Sequence, residues 1–178
     1  MINKNDIIKV AIKYIEEKSI DFTILDVAKI LKTSKRTIYQ SFVSKNALIA
    51  EAIEYIFTDI KLQHYEILKQ DINSLEKLYN ILLVYPRVVN FDKISLNKIV
   101  QNYPNIYAQI DKQLAGNWEL TLEVFNQCKS EGFVDTQVNN DEFRLIMLGI
   151  YEQSLNFPNH QEMLKKSLHI VFNGIKQK

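Results

Sequence analysis

The stretch Thr23-Ile-Leu-Asp-Val-Ala-Lys-Ile-Leu-Lys-Thr-Ser-Lys-Arg-Thr-Ile-Tyr-Gln-Ser-Phe-Val-Ser-Lys45 decides the fold. Thr23 followed by Asp26 predicts a capping box, and Phe22 is placed to staple onto Val27, so a helix begins at Thr23. Val27, Ala28, Ile30 and Leu31 supply its apolar face, and the residues from Leu31 to Ser34 leave room only for a sharp turn. Ser34 then caps a second helix. In it Ile38 and Phe42 share one face at the i, i+4 spacing, while Lys35, Arg36, Thr37, Gln40 and Ser41 are left outside, with Tyr39 at the edge. Val43, Ser44 and Leu48 repeat the staple-and-cap pattern and put Lys45 on the first turn of a third helix. Two short helices joined by a tight turn, the second carrying basic and hydroxyl side chains, make the pattern of a helix-turn-helix that reads DNA.

Charge agrees with that pattern. The formal net charge of +1 hides an asymmetry: residues 1–48 hold nine Lys/Arg against five Asp/Glu, and residues 49–178 hold thirteen against sixteen. Lys29, Lys32, Lys35, Arg36 and Lys45 occur with no acidic residue between Lys29 and Lys45, which suits a phosphate-facing surface. Charge alone would favour a solvated face, but the turn spacing reverses that reading.

The same residues resemble the amino-terminal motif of the TetR (tetracycline-repressor-like) family of bacterial transcriptional regulators, approximately T-x-x-x-[IV]-A-x-x-A-G-V-S-x-G-T-[LI]-Y-x-H-F-x-S-K-x-x-L. Thr23, Val27, Ala28, Ser34, Thr37, Ile38, Tyr39, Phe42, Ser44, Lys45 and Leu48 fall in register. The resemblance is specific over residues 5–50 and afterwards is one of layout. Lys32 stands where the family usually has Gly, Arg36 where Gly is common, and Ser41 where His is common. At Lys32 this predicts a left-handed residue, at a cost of roughly 1–2 kcal/mol, or a turn of different path. At Arg36 and Ser41 it alters DNA contacts, so no operator preference carries over.

The resemblance implies an all-α protein, with a three-helix DNA-binding head over residues 1–48 and a larger helical effector-binding and dimerisation domain over 49–178. Its partners would be double-stranded operator DNA, a second copy of the chain and an unknown small-molecule effector, in a repressor released from a palindromic operator. The DNA-binding set is Thr23, Ser34, Lys35, Arg36, Thr37, Tyr39, Gln40, Ser41 and Lys45. Within it Arg36, Thr37 and Tyr39 are expected at base edges, and Thr23 and Lys45 at phosphates. The alternative keeps this head but makes the second domain a protein-interaction module without a small ligand.

An enzyme is the weaker class. His64, His160 and His169 lack metal-motif spacing, and the chain has neither a Gly-rich phosphate loop nor a G-x-S-x-G elbow. No catalytic residue, metal or cofactor is therefore expected. The single cysteine, Cys128, excludes an intrachain disulfide and fits a small core residue in a reducing compartment. The amino terminus lacks the apolar run of a signal peptide, and no stretch has the roughly 18 uninterrupted apolar residues of a membrane span. A cytoplasmic protein without membrane contact is the expectation.

Elsewhere the chain reads as helix. Ile8, Ala11, Ile12 and Ile15 form the stripe of a first helix that completes the head. With no Gly or Pro between Lys45 and Asp71, a long helix leaves the head. Ser74 opens another that meets Pro86, Asp92 opens a short one ending before Pro104, and a long one then runs toward Gly132. The last carries an apolar stripe of Tyr107, Ile110, Leu114, Trp118, Phe125 and Cys128, interrupted by Asn117 and Thr121. Inward polar groups need partners. They fit a ligand pocket, or else bonds to neighbouring helices or buried water. The candidate effector-binding set is Tyr79, Leu82, Tyr103, Tyr107, Asn117, Trp118, Thr121 and Phe125. The final stripes, Phe143, Ile146, Met147, Ile150 and Tyr151, then Leu164, Leu168, Val171, Phe172 and Ile175, close the domain's own core or pair with a twofold mate. For the dimer interface the expected residues are Phe143, Ile146, Ile150, Leu164, Leu168, Val171, Phe172 and Ile175.

Overall fold

The computed structural model describes residues 2–18, 20–87, 101 and 103–175. Every regular element among them is a helix: α1 (Lys4–Lys18), α2 (Ile24–Ile30), α3 (Lys35–Ser41), α4 (Lys45–Leu68), α5 (Ser74–Leu82), α6 (Pro104–Ser130), α7 (Asn140–Ser154) and α8 (His160–Ile175). The short helix expected at Asp92 lies outside the described residues. No described helix is long and apolar enough to cross a membrane.

Side-chain caps set most of the starts. At α2 the Thr23 hydroxyl accepts from Asp26 N at 3.2 Å, and Asp26 Oδ2 accepts from Thr23 N at 2.8 Å, which closes the capping box. Ser34 Oγ accepts from Thr37 N and Ser44 Oγ from Ala47 N, each at 3.1 Å. At α5 the cap falls one residue before the expected opener. Asn73 Oδ1 accepts from Glu76 N at 2.9 Å, whereas Ser74 is buried and donates to Glu131 Oε2 at 2.6 Å.

The turn between α2 and α3 is a Schellman closure. Thr33 N donates to Ala28 O at 2.9 Å and Lys32 N to Lys29 O at 3.2 Å, with Lys32 at φ 50°. The same pair of bonds ends α6, where Phe133 N reaches Cys128 O and Gly132 stands at φ 78°. Glycine tolerates that conformation freely. Lysine does not, because its Cβ crowds the following carbonyl.

Two compact units result. The first comprises Met1–Ile60 and Pro86–Gln113, the second Lys61–Tyr85 and Leu114–Lys178. Residue 48, the expected limit of the head, lies in the first turn of α4, and the first unit continues past it to Ile60. In the first unit Ile8, Ala11, Ile12 and Ile15 of α1 are buried with Val27 and Ala28 of α2, Ile38 of α3, and Leu48, Ile49 and Ile53 of α4. Ile106 and Ile110 of α6 join the same core. In the second unit Leu78, Trp118, Phe125, Cys128, Phe143, Met147, Leu164, Leu168 and Phe172 are buried together, with the Phe125 and Phe143 rings stacked at 4.0 Å.

Lys32→Gly tests the turn. Relief of about 1–2 kcal/mol of backbone strain is offset by about 0.4–1 kcal/mol of extra unfolded-chain entropy. The expected gain of about 0.5–1 kcal/mol raises the circular-dichroism melting temperature by about 1–4 °C. An unchanged or lower melting temperature would show that the lysine side chain stabilises the turn in its place.

Candidate nucleic-acid interface

Seven residues are too few for a helix to persist in water on its own, so α3 depends on its inward face. Ile38 is fully buried and Phe42 nearly so. Each contributes about 1.5–3 kcal/mol relative to exposure. With those two side chains turned in, Lys35, Arg36, Tyr39, Gln40 and Ser41 stand exposed and Thr37 is half-buried. Lys29 and Lys32 are exposed as well, so cations and hydrogen-bond donors share this surface.

Four of the expected contact residues, Thr23, Ser34, Thr37 and Lys45, already bond within the protein. The Thr23 hydroxyl donates to Asp26 Oδ2 at 2.7 Å, so the proton a phosphate would take already has an acceptor. Ser34 and Thr37 share a bond between their hydroxyls at 3.0 Å. Lys45 is half-buried, and its Nζ donates to Ile20 O at 2.5 Å and lies 3.4 Å from Tyr103 Oη. The same ammonium sits 4.8 Å from the centre of the Phe22 ring.

Sequence reasoning misplaced two apolar residues here. Val43, expected to staple onto Leu48, is 89 % exposed, while Leu48 is buried without it. The cause is the extended backbone at Phe42 (φ −136°, ψ 118°), which sends consecutive side chains to opposite sides, Phe42 inward and Val43 outward. Ile30, expected on the inner face of α2, is half exposed because Ile24, Val27 and Ala28 occupy that face.

The candidate effector residues are divided between the two units. Tyr103 and exposed Tyr107 fall in the first unit, Tyr103 against Lys45. In the second unit Leu82, Trp118 and Phe125 are packed core. Thr121, whose inward hydroxyl suggested a pocket, donates to Asn117 O of its own helix at 3.0 Å. The side chain thus finds its partner one turn back, a bond that periodicity does not reveal. Tyr79 alone of this set lines a described groove, one of about 470 Å³ shared with Leu75, Glu76, Asn80, Phe172 and Asn173.

Elsewhere in the second unit, three buried polar atoms have no partner among the described residues: His64 Nδ1, Tyr85 Oη and His160 Nε2. Burial holds the His64 imidazole below its ordinary pKa, against a bond to the Ile81 backbone, and therefore favours the neutral ring. Burial pushes the Tyr85 phenol above its ordinary value, opposed by the nearby Ser154 hydroxyl, which is itself donated to Tyr151 O. The Tyr85 and His160 rings stand 5.6 Å apart, and Tyr151 Oη donates to Leu82 O. Helical periodicity does not mark Tyr85, which lies after α5, or His160, which begins α8.

The expected dimer residues divide. Phe143, Leu164, Leu168 and Phe172 are closed into the unit's own core, so they are not available to a second chain. A 3.6-residue stripe looks the same whether it faces its own domain or a neighbour, which is why the sequence did not separate them. Ile150, Val171 and Ile175 are half-buried, and Ile146 is exposed. The apolar surface left open is carried instead by Leu145, Leu148, Phe157 and Ile170, with Leu145 and Ile170 more than 70 % exposed. Leu145, Ile146, Ile150, Phe157 and Met163 line a groove of about 390 Å³ there.

The sequence profile described as bacterial regulatory proteins, tetR family, matches residues 7–52. The chain is 27 % identical over 172 residues to the HTH-type transcriptional regulator YvaF of Bacillus subtilis, covering 92 % of this chain and 90 % of that protein. A TetR-family transcriptional regulator from Cytophaga hutchinsonii superposes with a TM-score of 0.81 at 13 % identity, covering 98 % of this chain and 95 % of the other. A transcriptional regulator from Saccharomonospora viridis in complex with choline superposes with a TM-score of 0.79 at 16 % identity, covering 98 % of each chain. These two likenesses are of fold.

The core assignment has a direct check. Thr121→Val should leave the melting temperature within about 2 °C of the parent, because only a bond to an already satisfied helix carbonyl is lost. Phe125→Ala should cost about 3–5 kcal/mol. A fall of many degrees in the valine variant would give the Thr121 hydroxyl a partner other than its own helix.

Proposed function

The chain belongs to the TetR family of bacterial regulatory proteins and is a DNA-binding transcriptional regulator, and from that premise we propose that it is a homodimeric repressor released from a palindromic operator by a small-molecule effector. It would act in the cytoplasm, where its DNA target lies. The observation that carries this reading is α3 itself, whose buried Ile38 and Phe42 leave Lys35, Arg36, Tyr39 and Gln40 free to face a major groove.

Arg36 is the base-reading residue of this account, since a guanidinium matches the two acceptors of guanine in the major groove. Tyr39 and Gln40 read neighbouring positions, Lys35 and Lys45 meet phosphates, and exposed Val43 supplies apolar contact to a thymine methyl or a sugar. The open apolar face of α7 and α8, which water would otherwise cover, supports a twofold dimer, as does the symmetry that a palindromic site would require. For the effector, the uncompensated Tyr85, His160 and His64 atoms support a small organic molecule held in the second unit. The choline bound to a protein of like fold is consistent with a ligand of that size. Both α4 and α6 supply residues to each unit, which gives the signal a covalent route. An effector acts only through a difference in its affinity for the two states of the heads.

Binding selections on Arg36→Ala and the parent separate reading from mere attraction. The variant should lose about 1–3 kcal/mol of operator affinity and relax its preference at one position per half-site. An identical preferred sequence at identical affinity would remove Arg36 from base reading.

Assembly is tested by a contrasting pair. Leu145→Asp should give a folded monomer by light scattering and circular dichroism, with operator affinity reduced by loss of the two-headed grip. Leu168→Asp should unfold the second unit instead, because it buries an unpaired charge in a closed core. A dimeric Leu145→Asp protein would put the interface elsewhere.

A further inference from the structure

Lys45 is held in an unusual way for a surface lysine. Its ammonium donates to the Ile20 carbonyl at 2.5 Å, lies 3.4 Å from Tyr103 Oη, and rests 4.8 Å from the Phe22 ring and 5.8 Å from the Tyr103 ring. No carboxylate among the described residues forms an ion pair with it. The partners are a carbonyl dipole, a phenol and two ring faces, which bind a cation without neutralising it. The socket walls are themselves fixed. Phe22 stacks on Tyr14 at 5.3 Å, and Tyr103 O accepts from Ile106 N and Tyr107 N at 3.0 Å in opening α6, with Ile106 buried in the same core.

We propose that Ile20, Phe22 and Tyr103 form a socket that presents the Lys45 ammonium to a DNA phosphate, which makes Tyr103, far in sequence from the helix-turn-helix, a positioning residue for DNA binding. The proposal rests on the reading of Lys45 as a phosphate contact. A free lysine side chain gives up much rotamer freedom when it docks on a phosphate. Here that freedom is already lost in the unbound protein. Two of the three ammonium donors face the socket and the third remains for a phosphate oxygen. The residue also stands on the first turn of α4, where the helix dipole adds to the positive potential. Tyr103 therefore acts through Lys45 and has no need to touch the nucleic acid.

The test uses the full chain and a scrambled duplex, so that base reading plays no part, with affinity measured by fluorescence anisotropy across a range of sodium chloride concentrations. Lys45→Gln should lower the slope of log K against log salt by about 1 per bound head. Tyr103→Ala should keep the parent slope but bind about threefold to tenfold more weakly, because the contact forms from a disordered side chain. Tyr103→Phe, which keeps the ring and loses only the long contact to the hydroxyl, should restore binding to within about twofold. The ¹⁵N resonance of the Lys45 ammonium should be visible in the free parent, shift on adding the duplex, and broaden away in Tyr103→Ala. If the alanine variant loses its helical circular dichroism, Tyr103→Leu takes its place with the same expected loss. Parent-like or tighter binding by Tyr103→Ala or Tyr103→Leu would overturn the socket as a positioning device. An unchanged salt slope in Lys45→Gln would overturn the phosphate reading on which it rests.

Discussion

The burial of Ile38 and Phe42 is the interaction on which the DNA-binding head depends. A seven-residue helix has no stability of its own, and α3 exists because these two side chains leave water in a core built from α1, α2 and α4. Its rotation about its axis is set by the same burial. Which residues meet DNA is thus decided on the side of the helix that never touches DNA. The hydrogen bonds around it act as stops: Thr23 and Asp26 fix where α2 begins, Lys32 turns the chain, and Ser34 fixes where α3 begins. Lys32 accepts a strained conformation in the position where glycine would be free, and it leaves an exposed cation beside α3.

The second unit has a different logic. Its core is a stack of large side chains, with Phe125 on Phe143 and Tyr79 edge-on to Phe172, and Trp118 and Phe125, which suggested a pocket, belong to that packing. Among the described residues, the buried polar atoms without a partner are on His64 within α4, on Tyr85 after α5 and on His160 at the start of α8. An unsatisfied buried donor or acceptor costs about 1–3 kcal/mol. A ligand able to bond to them would recover that free energy only when bound, and so would gain affinity from the protein's own frustration.

The head was legible because its signals are local. A cap and its partner lie three residues apart, a staple spans five, and an i, i+4 pair one turn, so Thr23, Ser34, Ile38 and Phe42 could be placed without knowing the tertiary fold. Failures came where a local rule had to yield to a distant contact or to the backbone path. Val43 turned outward because Phe42 is extended, Thr121 satisfied itself within its helix, and Phe143, Leu164, Leu168 and Phe172 were claimed by their own core. Tyr103 was the hardest case, since its partner Lys45 is 58 residues away and no periodicity connects a loop tyrosine to the first turn of α4.

In the proposed mode of action two copies of this head, each presenting α3, read an inverted repeat. The direct measurement is selection of bound sequences from randomised duplex DNA by the wild-type protein. The expected result is enrichment of an inverted repeat whose half-sites are centred one helical turn, about 34–36 Å, or a whole multiple of it apart. Enrichment of a single asymmetric site, or of no sequence at all, would contradict it.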